Sequence, residues 1–133
     1  MNYDDFVGQV QHRARMASTD EAVHIIRNTL KALGERLYGG EVDDLAAQLP
    51  EEVGLYLKTA EKEEQYTVKE FLERVAELEK ADYPQAVHHA RAVMATVQEA
   101  ITEGELEDLL DQLPAEYEAL FAAGSEGEFN LPA

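Results

Sequence analysis

Two residue pairs with the means to hold an anion recur in this chain: His24 with Arg27, and His88 with Arg91. Residues three apart share one face of a helix. There, an arginine offers a planar fork of donors to phosphate or carboxylate, with an imidazole beside it. The pairs sit in matching Ala-Val-His-x-x-Arg segments, 22–27 and 86–91. If two such pairs lined one cleft, they would make a small-anion sensor. The same residues have a structural use. Arg27 follows Val23 by four and precedes Leu30 by three, so it borders an apolar stripe. There it can lay its stem on the core and pair with an acid. Asp44 and Asp108 are the expected partners, because they lie beside leucines in a second repeated segment. A third use is as solvated surface.

Other chemistry finds less support. Glu41 with Asp44, and Glu105 with Asp108, repeat as carboxylate pairs, but each sits at a helix N-terminus, where the dipole favours negative charge. General acid–base work would need one of these carboxyls desolvated. Of the four histidines, His88 and His89 are adjacent and about 100° apart on a helix, so they do not chelate one ion. His12 is distant in sequence. Glu21 precedes His24 by three, but Gln85 takes that place before His88, so the paired Glu-x-x-His of a di-iron bundle is missing. The segment 103–111 lacks the ligand alternation of an EF-hand. Serine occurs only at Ser18 and Ser125, with no nucleophile elbow around either. Gly39-Gly40 before a helix resembles an anion-binding turn, yet Glu41, Asp43 and Asp44 fill it with negative charge. No catalytic residue, cofactor or metal is expected.

The elements that must position these groups are helices. Gly-Glu-x-x-Asp-Leu-x-x-Gln-Leu-Pro appears at 40–50 and again at 104–114, with the same offset as the His-x-x-Arg segments. A constant offset of this kind signals repeated supersecondary units. Helices are predicted over 3–16, 19–38, 41–49 and 50–57. The capping box Ser18-x-x-Glu21 starts the second, Gly39-Gly40 ends it, and Pro50 opens the fourth. A second capping box, Thr67-x-x-Glu70, restarts the cycle. Val23, Ile26, Leu30, Leu33 and Leu37 are answered at that offset by Val87, Ala90, Met94, Val97 and Ile101. The turn after the first helix is one residue shorter in the second half, since Phe6 and Val10 align with Phe71 and Val75. No strand alternation is sustained. The expected fold is all-α: two tandem four-helix repeats, 1–60 and 67–123, joined by a connector at 61–66, fused into one compact helical domain and followed by a flexible tail at 124–133. The long helices should pack near the middle of a shared core.

Composition narrows the function classes. The chain has 133 residues, 28 acids, 11 bases and a net charge of −17. Such a surface repels nucleic acid and anionic membranes. No apolar run is long enough to span a bilayer. With no cysteine there is neither disulfide nor thiolate site. No secretory signal opens the chain, so a cytoplasmic location is the expectation.

The paired 40–50 and 104–114 segments, Ala86-Val87-His88-His89-Ala90-Arg91-Ala92-Val93-Met94, and the helix start at 71–75 together resemble the bacterial domain of unknown function family 2267. The resemblance runs over about 3–121. It implies an all-helical duplicated domain and transfers no activity or site residue. The expected function is therefore a non-enzymatic, acidic helical interaction module. Its partner would be a protein, with a basic one favoured by charge, and self-association is compatible. A small-anion sensor at His24, Arg27, His88 and Arg91 is the alternative.

Overall fold

The computed structural model describes residues 1–121, and every regular element among them is helical. In chain order these are α1 (Tyr3–Ala14), α2 (Thr19–Arg36), α3 (Glu41–Gln48), α4 (Glu51–Leu57), α5 (Val68–Glu79), α6 (Tyr83–Ala100), α7 (Glu103–Asp111), a 3-10 turn (Ala115–Tyr117) and α8 (Glu118–Phe121). Helix lengths run in parallel through the halves: 12, 18 and 8 residues in the first, 12, 18 and 9 in the second. The expected tail at 124–133 lies outside the described residues. No helix among them is long and apolar enough to cross a membrane.

Local sequence accounts for the helix starts. Ser18 and Thr67 form complete capping boxes with Glu21 and Glu70. Asn2, Asp82 and Thr102 accept from the third helical N–H in the same manner. The ends of α1 and α5 are less ordinary. Arg15 (φ 56°) and Lys80 (φ 58°) take the left-handed conformation usually given to glycine. The next amide of each turn, Met16 N–H and Ala81 N–H, bonds back to Gln11 O and Ala76 O. The first helix therefore stops at Ala14 rather than at the predicted 16.

Four longer helices, α1, α2, α5 and α6, form the body. Helix α4 covers α2, α3 rests on α4 and meets α7, and α8 covers α6. One apolar cluster runs through both halves, from Phe6, Leu30 and Leu33 to Phe71, Leu72, Met94 and Tyr117. The long helices α2 and α6 touch each other and are flanked on further sides by α1 and α5. That crowding corrects the single-stripe expectation. Every residue of α6 from Ala90 to Val97 is buried. In α2, Asn28, Thr29, Ala32, Glu35 and Arg36 are buried beside the apolar residues. Val23 and Val87, placed by spacing on the inner stripe, are only half-buried. A helix enclosed on several faces is buried nearly all round.

Fourth helices differ between halves for a steric reason. A Cβ on Gly34 would stand 2.1 Å from Leu57 O, and one on Gly54 would stand 2.8 Å from Ala46 O. The α4 backbone thus lies directly against α2 and α3. The equivalent positions in the second half hold Gln98 and Glu118. Side chains of that size preclude the same close approach, and the segment begins as a 3-10 turn instead. Gly34→Ala should cost about 1–3 kcal/mol by overpacking. Gly8→Ala, where a Cβ meets nothing within 4 Å in the middle of α1, should add about 0.5–1 kcal/mol. Urea denaturation of both variants checks the pair, and equal effects would contradict the close α2–α4 packing.

Candidate functional site

Repeated polar residues serve to join the halves, and they do so reciprocally. The Gln112 side chain accepts from Tyr38 N–H at 3.0 Å and donates to Tyr38 O at 3.0 Å. Its counterpart Gln48 accepts from Thr102 N–H at 2.9 Å. Tyr38 and Thr102 are themselves equivalent positions of the repeat. Each glutamine therefore reaches from the end of one short helix to the backbone just past the long helix of the other half. An exchange of this form, i to j and j to i, is the signature of a two-fold relation.

The histidines follow the same rule. His24 Nε2 lies 3.4 Å from Glu79 O, and His88 Nε2 lies 3.1 Å from Ala14 O. Both carbonyls end the first helix of the opposite half, so each imidazole donates to an acceptor that has no intrahelical partner. His24 Nδ1 in turn faces the Arg27 guanidinium, a donor, at 3.3 Å, which favours the tautomer with hydrogen on Nε2, while Asn28 Nδ2 lies 3.4 Å from both ring nitrogens and donates to His24 O at 2.9 Å. The four candidate anion-binding residues thus separate. His24 and His88 are engaged at helix ends, Arg27 is exposed beside His24, and Arg91 is buried. The expected acid partners were misplaced. Among ion pairs between described residues, none joins Arg27 to Asp44 or Arg91 to Asp108. Asp44 and Asp108 are exposed instead.

A buried ion pair closes the other side of the join. Glu35 on α2 is fully enclosed, and Arg74 on α5 grips it with Nε–Oε1 at 2.8 Å and an Nη–Oε2 contact at 2.9 Å. Tyr66 donates to the same carboxylate at 3.0 Å. Burial pushes this carboxyl up, but the Arg74 and Tyr66 hydrogen bonds outweigh it and hold the pKa below the usual range. The connector is tied down here too: Glu64 N–H donates to Glu35 O, Arg36 Nε to Tyr66 O, and the Tyr117 hydroxyl to Tyr66 O. At the corresponding place in the second half, Glu99 on α6 pairs with Arg13 on α1.

The feature that sequence reasoning missed lies between α3 and α7. Glu41 and Glu105, read as charges favoured by the dipole at helix N-termini, are both buried at 6% exposure. Each leaves one carboxyl oxygen buried with no hydrogen-bond partner, and the closeness of Glu105 disfavours a charge on Glu41. Burial is the main cause, followed by Glu105 and then by Asp44 and Asp108, and together they raise Glu41 to about 8. Helices α3, α4, α7 and α8 contain no Lys, Arg or His, so no cation of that layer offers relief. The only sequence signal was that Glu41 and Glu105 precede the buried Leu45 and Leu109 by four residues, on the same helix face.

Glu41 thus binds its proton more tightly when folded than when unfolded. Its contribution to stability is complete below the unfolded value of 4.5 and is lost as pH rises through about 8. Glu41→Gln supplies a permanent donor to Glu105 and should raise stability at alkaline pH by about 1.5–3 kcal/mol. Melting curves across the neutral-to-alkaline range test this: the wild-type chain should lose stability as Glu41 ionises, and the variant should not. Parallel curves would contradict the raised Glu41 carboxyl.

Comparison with known proteins places the whole described fold in one group. The model of a family described as uncharacterized conserved protein (DUF2267) matches residues 3–120. No curated protein matches the chain. With nearly the full helical body covered, the chain belongs to the DUF2267 family.

Proposed function

We propose that this protein is a non-enzymatic interaction module that receives a basic protein segment on the face formed by α3 and α7. The reading is carried by Tyr38. This residue is 48% exposed, while its backbone is clamped on both sides by Gln112. A large exposed aromatic on immobile backbone supplies contact area at little ordering cost. Its surroundings are acidic: Asp43, Asp44, Glu103, Glu107, Asp108 and Asp111 are all exposed on the two helices. Lys58, which flanks this layer, approaches Asp43 at 3.7 Å with both side chains at least half exposed. An arginine or lysine from a partner would stack on the Tyr38 ring and meet carboxylates around it. Long-range attraction by such a field speeds encounter and weakens with salt.

The test is binding of a labelled lysine- and arginine-rich peptide by fluorescence anisotropy across a salt series. Affinity should fall as salt rises. Tyr38→Ala should weaken binding about tenfold or more, as hot-spot truncations do. Asp44→Lys with Asp108→Lys should abolish it, while Asp4→Lys and Asp5→Lys on α1 should leave it close to the wild-type value. Equal losses from the α1 and α3–α7 variants would reduce the effect to net charge and overturn the assignment of this face.

A further inference from the structure

A groove of about 380 Å³ opens at the turns that follow α1 and α5, lined by Met16, His24, Ile25, Glu79, Ala81 and His89, with Asp20 and Glu21 on α2 completing it. It straddles the join. Met16 and Ala81 are equivalent positions in the two halves, as are Ile25 and His89. Here the repeat departs from its own pattern. Where the first half has Ala14 and Ile25, the second has Glu79 and His89. Apolar residues at one copy show that packing does not require polar ones at the other.

The exchange is costly as it stands. Glu79 is 7% exposed. His89 Nδ1 holds its Oε1 at 2.6 Å, but Oε2 is buried with no hydrogen-bond partner. A buried acceptor left unsatisfied loses the hydrogen bonds it had in water. It asks for a donor. The groove offers carboxylates at Asp20 and Glu79, with Glu21 engaged in its capping box, and no lysine or arginine lines it. The occupant is therefore cationic. Among the described residues, no group of three His, Asp or Glu side chains is arranged to hold a metal ion. Dispersed acceptors next to the apolar walls of Met16, Ile25 and Ala81 suit an organic cation instead. The volume is at the small end for ligand sites.

We infer that this groove binds a small organic amine, with the ammonium group on the Glu79–His89 pair and a short alkyl stem over Met16 and Ile25. Asp20, exposed at the start of α2, adds long-range attraction at the rim. The ammonium supplies the donor that Oε2 lacks once the Glu79 carboxylate turns outward to meet it, and the stem covers the half-exposed Met16 and Ala81 beside Ile25.

The experiment is an NMR titration of the labelled full chain with n-butylamine, 1-butanol and butyrate, followed at the His89 ring and the Ile25 methyls. Butylamine should give saturable shifts at both residues, and the alcohol and the acid should not. Asp20→Asn, an exposed change outside the core, should weaken binding several-fold, and Glu79→Gln should weaken it at least tenfold. If Glu79→Gln does not fold, His89→Gln with Asp20→Asn carries the same comparison. Absence of saturation at concentrations on the order of 10 mM, where even a weak specific site fills, would overturn the inference. So would equal shifts with 1-butanol, or saturation by Zn²⁺ at His24 and His89 without any response to amine. Asp44→Lys with Asp108→Lys, which disables the α3–α7 face, should leave amine binding intact, so the two proposals fail separately.

Discussion

Every helix end that points into the other half must find a partner there, and this requirement organises the molecule. The last carbonyls of α1 and α5 have no acceptor role inside their own helices. Where the halves pack together, a side chain from the opposite half supplies the donor. His88 and His24 supply it. The backbone that follows α2 and α6 has the same need, met by Gln112 and Gln48. Each of these residues serves the opposite half. Satisfying the backbone of one unit and docking the other are thus a single act, and the recurrence of His and Gln at equal spacing follows without any ligand.

Charge is handled less evenly. The chain carries 28 acids against 11 bases, too few to pair them all. Where a carboxylate must be buried among bases, as at Glu35, a bidentate arginine and a tyrosine keep it ionised. Removing that arginine would leave the charge uncompensated, a loss of about 3–5 kcal/mol for buried pairs. Helices α3 and α7 carry no base, and Glu41, buried beside Glu105, keeps its proton instead. Identical residue types thus reach opposite protonation states by environment alone. The exposed acids on the outer faces of the same helices give that side of the molecule its negative field.

Much of the fold was legible in the sequence because local rules and the repeat agreed. Capping boxes at Ser18 and Thr67 marked true helix starts. The three-four spacing of Ile26, Leu30 and Leu33 marked a buried stripe. What escaped was set by tertiary context. Arg15 and Lys80 occupy left-handed positions that sequence assigns to glycine, so the end of α1 was placed two residues late. Glu35 lies off the predicted apolar stripe of α2, and only α5, by bringing Arg74 over it, makes its burial intelligible. Glu41 and Glu105 read as dipole partners until α3 and α7 face each other. The His-x-x-Arg pairs were visible, but the atoms His24 and His88 contact lie 55 and 74 residues away. No local pattern encodes such distances. The groove at His89 was hidden for the converse reason, since it shows only where the halves differ.

The central claim is that the halves form one cooperative body through these exchanged bonds, rather than two units that happen to touch. Native-state hydrogen exchange of the full chain is the most direct measurement. The slowest amides of α2, around Leu30, and of α6, around Val93, should report the same opening free energy and the same denaturant dependence. A clear separation, with one half opening fully while the other stays protected, would contradict the account.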